Sequence, residues 1–93
     1  MGTEKALREL GSSGLYRGHW NLLKIVELRA SGFSLQEAVK SVARTENVST
    51  DVIRKRIGRL LRKIEKTGNE AFRALWPDGK AGLERITQYL LEK

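Results

Sequence analysis

Apolar residues recur at helical spacing along most of this chain. Ile53, Ile57, Leu60 and Ile64 follow one another at intervals of 4, 3 and 4, with Leu61 beside them. That spacing predicts an amphipathic helix from Ser49 or Thr50 to about Lys66, capped by a hydroxyl and closed by Gly68. Leu35, Ala38, Val39 and Val42, with Ala43 at the edge, predict the helix before it. Its start is marked by Ser34-x-x-Glu37, a reciprocal cap, with Phe33 placed to staple the first turn. Its end falls near Glu46-Asn47, where asparagine tolerates the left-handed backbone of a tight turn. Residues 16–31 predict another helix, stopped by Gly32. Leu22, Leu23, Val26 and Ala30 share one face of it, while Trp20, Ile25 and Leu28 lie elsewhere on its circumference. Such a helix belongs at the centre of the fold or in a dimer contact. Asn69 begins a short segment with Phe72, Leu75 and Trp76 inward, ended by Pro77. Leu83, Ile86, Leu90 and Leu91 mark a last amphipathic helix.

These elements predict an all-α fold, a small helical bundle. The 93 residues allow a single small core. Residues 16–93 are expected to form it. Residues 1–15 are expected to be a flexible segment, with a possible short helix over 3–10 carrying Ala6, Leu7 and Leu10, followed by the Gly11-Ser12-Ser13-Gly14 link.

Charge changes the picture more than composition does. The chain carries 18 basic and 11 acidic residues, for a net charge of +7. Most of the excess sits in residues 49–66, where Arg54, Lys55, Arg56, Arg59, Arg62, Lys63 and Lys66 face only Asp51 and Glu65. Exposed helices usually interleave both signs. Segregation on this scale favours a polyanionic partner, and nucleic acid is the commonest.

A helix, a short turn and a basic helix in succession bring a known arrangement into view. Ala43-x4-Val48-Ser49-x3-Ile53, followed by Arg-Lys-Arg-Ile, resembles the helix-turn-helix DNA-binding superfamily. In that motif a small residue lets two helices cross, an apolar turn residue plugs the core, a hydroxyl caps the second helix and a β-branched residue anchors it. Two departures stand out in the turn: Asn47 where glycine is common, and Glu46 where an apolar residue is usual. The first helix is also about a turn longer than in compact examples. The resemblance implies that helix 49–66 enters the major groove of duplex DNA. An alternative within the same superfamily is a winged helix, with Ala71–Trp76 and Pro-Asp-Gly-Lys forming a hairpin within residues 71–87.

On this reading Thr50, Asp51, Arg54 and Lys55, near the start of the basic helix, meet base edges. Arginine suits the O6 and N7 of guanine, and an aspartate accepts from cytosine. Ser49, Arg59, Arg62 and Lys66 contact phosphate. Lys40 and Arg44 reach it from the preceding helix. Gly58 removes a side chain where the DNA backbone would come close. Each assignment has a plainer rival. Asp51 is favourable at a helix N-terminus whatever it binds, Glu46 pairs with a flanking arginine such as Arg56, and Gly58 is a drifted surface position. His19 shares a face with Leu22, Leu23 and Val26 and is expected to be a packing residue.

The aromatics lie outside residues 49–66, which favours duplex over single-stranded nucleic acid, because single-strand binders interleave rings with cations. One recognition helix covers few base pairs, so a homodimer on a palindrome is expected, with the contact on the C-terminal helix or on the Trp20/Leu28 side. The function expected is that of a small transcription regulator binding double-stranded DNA. An RNA-binding accessory protein and an adaptor docking its basic helix on an acidic partner are the alternatives. No enzyme activity, cofactor, metal or small-molecule effector is expected: cysteine is absent, histidine occurs once, and no phosphate loop or nucleophile–base motif is present. No apolar run is long enough for a membrane span. The N-terminal MGTEKALREL carries no export signature, so a cytoplasmic location is expected.

Overall fold

Each predicted helix forms where its punctuation places it. In a computed structural model, which describes residues 2–93, the order is α1 (Gly2–Glu9), α2 (Arg17–Ala30), α3 (Leu35–Thr45), α4 (Thr50–Thr67), α5 (Glu70–Leu75) and α6 (Leu83–Leu91). Ser34 and Glu37 complete the reciprocal cap of α3: Glu37 N donates to Ser34 Oγ at 3.1 Å and Ser34 N to Glu37 Oε1 at 2.9 Å. Ser49 Oγ accepts from Val52 N at 3.2 Å and opens α4. Gly68, left-handed at φ 52, closes it. Asn69 caps α5 through Phe72 N and donates to Glu9 O, tying the end of α1 to the start of α5.

The hairpin alternative is overturned. Among the described residues there is no strand, and residues 71–87 hold the end of α5, a Trp76–Gly79 turn and the start of α6. The reason is local. Asn69 Oδ1 accepts from Phe72 N and opens a helix there, which sets Phe72 and Trp76 one turn apart and inward, with their rings 5.4 Å apart.

The core is built around α2, which packs against α3, α4 and α6 and touches α1. This explains why its apolar residues exceed a single stripe: Leu22, Ile25 and Val26 are all buried in a helix with four neighbours. α2 and α4 meet at a glycine. A Cβ on Gly18 would lie 2.5 Å from the carbonyl oxygen of Arg56, so the two backbones approach as closely as this site permits. α3 and α4 complete a three-helix unit with Ala38, Val39, Val42, Ile53, Ile57 and Ile64 inside.

The ends of the chain pack on this unit. α6 buries Ile86 and Leu90 against it. The rest of the stripe of the C-terminal helix, Leu83 and Leu91, is partly buried, and on α2 Trp20 remains exposed. Residues 2–15 do more than link. Ala6, Leu7 and Leu10 enter the core, and the loop that follows α1 is pinned by a buried side chain. His19, fully buried, lies between Ser12 Oγ (2.6 Å from Nδ1) and Glu4 Oε2 (3.1 Å from Nε2), and Glu4 also pairs with Arg8. A loop rich in glycine and serine is held because its polar atoms find a partner that composition does not reveal. Met1 lies outside the described residues.

Candidate nucleic-acid interface

The turn that orients α4 is short and internally bonded. Asn47 takes φ 56, and Val48 N donates to Ala43 O at 3.0 Å, closing the end of α3. Val48 packs against the core below. Glu46, at the position that departs from the superfamily pattern, does not point idly to solvent. Its Oε1 accepts from Arg56 Nη1 at 2.6 Å and its Oε2 from Asn21 Nδ2 of α2. One carboxylate thus ties the turn to both α2 and α4.

This pair removes one cation from the candidate surface. The Arg56 side chain is only 17% exposed. The acidic residues of the segment are accounted for too. Glu65 Oε2 accepts from Ala81 N in the loop before α6, and Asp51 pairs with Lys55 at 3.1 Å on the exposed first turns of α4. Lys63 lies over the Tyr16 ring at one edge of the helix, and apart from it what remains outward is Arg54, Arg59, Arg62 and Lys66. All four are exposed, and none enters an ion pair among the described residues. Gly58 sits within this row, and a Cβ there would meet nothing within 4 Å. Lys40 and Arg44 are exposed on α3 and likewise unpaired among the described residues.

The sites expected from sequence therefore divide. Arg54, Arg59, Arg62 and Lys66 stand as an unneutralised row on one helix. Thr50 is half-buried, Ser49 is engaged as the cap, and Lys55 is held by Asp51. No protein-family model, curated protein or solved structure matches this chain.

Two features escaped the sequence reading. The first is a cleft of about 450 Å³ between the start of α2 and the C-terminal half of α4. Arg17 and Lys63 line it, and the ammonium of Lys63 lies 5.2 Å from the centroid of the Tyr16 ring. Contact with Tyr16 raises the Lys63 pKa above its ordinary value. The available signal was Gly18, a glycine inside a helix with no local reason to be there. The second is the Ser12–His19–Glu4 chain. It has the composition of a nucleophile–base relay, but Ser12 and His19 are both buried, and the arrangement joins α1 to α2. Among the described residues no group of three or more His, Cys, Asp and Glu side chains is placed to hold a metal, and no helix is long and apolar enough to cross a membrane.

Proposed function

We propose that this protein binds duplex DNA by laying the outer face of α4 in the major groove, as a small transcription regulator. The observation that carries the proposal is the division of α4 into two faces. Ile53, Ile57, Leu60 and Ile64 are buried in the three-helix unit, while Arg54, Arg59, Arg62 and Lys66 stand outward with no acidic partner among the described residues. A row of unneutralised cations costs stability through mutual repulsion and is relieved by a polyanion. A helix docked by one face and clear on the other has the form that fits the groove. Gly58 in the middle of the row allows a sugar–phosphate strand to come close. Lys40 and Arg44 on α3 add phosphate contacts on the adjoining side.

Two chains are proposed to sit on a palindromic site. The contact is proposed on the side of α2 that carries the exposed Trp20 and the partly buried Leu28.

The test is a competition among duplex DNA, single-stranded DNA and RNA of equal length. Preference for duplex supports the proposal. Preference for RNA would replace it with the RNA-binding alternative, and tighter binding to an acidic polypeptide would replace it with the adaptor.

A further inference from the structure

The cleft beside α4 carries an inference that rests on the DNA-binding reading and refines it. Its walls come from two elements far apart in sequence, the Leu15–Gly18 segment and the C-terminal half of α4. No acidic residue lines it. Arg56 reaches it but is neutralised by Glu46. Arg17 and Lys63 do not enter ion pairs among the described residues, and Arg59 borders both the cleft and the outer row of α4. Helix α2 begins here with no side-chain cap and no acidic residue in its first turn, so nothing local offsets the positive field. At the rim, Leu15 is 93% exposed and Tyr16 38% exposed, an apolar lip beside cations.

We infer that this cleft clamps a single backbone phosphate of the bound DNA between Arg17 of α2 and Lys63 of α4, with Leu15 and Tyr16 against the adjoining deoxyribose. The charge of the walls selects an anion, and the apolar lip distinguishes a sugar-linked phosphate from a bare carboxylate. The clamp lies to the side of the outer row, so it extends the footprint past the major-groove contacts onto one bordering strand. It also fixes the rotation of α4 about its own axis, because one jaw belongs to another helix. The close approach at Gly18 sets the spacing of the jaws: a side chain there would push α2 off α4.

Because both jaws serve one phosphate, their effects on salt dependence do not add. In a titration of the full chain against random-sequence duplex at several salt concentrations, Arg17→Ala and Lys63→Ala each lower the slope of log K against log salt by clearly less than about 0.9, because the remaining jaw still meets the phosphate, and the double variant lowers it by about 0.9. Arg62→Ala, on the outer row, lowers it by the same amount and adds to either. Both cleft residues are exposed, and thermal melts that match the parent chain verify that each variant is folded. Unchanged slopes in the cleft variants, with a normal loss in Arg62→Ala, overturn the clamp and leave the DNA reading standing. A double variant that loses about 1.8 shows two separate phosphates and also overturns it. A parent chain that binds polyglutamate as tightly as duplex, with equal losses in all variants, overturns the DNA reading, and the clamp with it.

Discussion

Arg56 Nη1 donates to Glu46 Oε1 at 2.6 Å, and this one pair separates the structural from the available cations of the basic helix. Arg54 and Arg59 lie within a turn of Arg56 and are exposed. Arg56 faces back toward the turn and is held there. Glu46→Ala leaves both Arg56 and Asn21 without their acceptor in a partly buried site. The expected loss is about 1–3 kcal/mol of folding stability. Chemical denaturation measures it, and Glu46→Gln, which keeps an acceptor, is expected to lose less.

The outer row is tested by salt. Arg59→Ala and Arg62→Ala should weaken binding to every duplex sequence alike, each lowering the salt slope by about 0.9. Both side chains point away from the core, so the melting temperature should hardly move. Affinity and slope that stay at parent values in both would remove the outer face from the interface.

Base reading is tested by selection from random duplex. Arg54 is exposed and unpaired among the described residues, whereas Lys55 is held by Asp51. Arg54→Ala is expected to relax one position of the selected site, at a cost of about 1–3 kcal/mol on the best sequence. Lys55→Ala is expected to do less, because part of its charge is already met. Equal losses on all sequences would assign both residues to phosphate.

Two of the helical glycines, Gly18 and Gly58, should respond in opposite ways. Gly18→Ala sets a Cβ against the Arg56 carbonyl and should destabilise the fold by about 1–3 kcal/mol. Gly58→Ala meets open space and should stabilise α4 by up to about 1 kcal/mol. If a DNA strand passes over Gly58, the same substitution weakens binding while the protein melts later. A Gly58→Ala chain that binds as well as its parent would show that the strand does not approach there.

Acid should loosen the N-terminal half. Arg8, and after it His19, hold the Glu4 carboxyl below the usual glutamate value, and the backbone N–H of Ser34 does the same for Glu37. A carboxyl with a lowered folded-state pKa contributes stability that is present above its unfolded value and lost as pH falls through the folded one. Stability from these two groups is therefore constant near neutrality and declines below the ordinary value of 4.5. Denaturant midpoints across that range should show the decline, and Glu37→Gln should flatten part of it.

Assembly is checked by mass with and without DNA. The free chain is expected at the mass of two copies, joined on the side of α2 that exposes Trp20; a mass of one copy that does not grow on adding DNA would reject the dimer. On a palindromic duplex two copies are expected, with their α4 helices about 34–36 Å apart. A single copy on every duplex would leave a monomer reading a half-site.

The sequence alone determined the elements and their faces. Caps at Ser34, Ser49 and Asn69, the left-handed turn at Asn47, and the stripe Ile53, Ile57, Leu60, Ile64 are local or periodic signals, and the helices follow them. The segregated charge of residues 49–66 is equally legible, because which side of a helix is polar depends only on spacing. Tertiary structure decided what meets what. The Glu46–Arg56 pair was already legible as the plainer reading of Glu46, and the packing selected it; that His19 gathers Ser12 and Glu4, and that Arg17 and Lys63 line one cleft beside the close approach of Gly18 to Arg56, depend on how separate helices meet. Periodicity gives a residue its side of one helix, but only the packing of several helices against one another gives that side its neighbours.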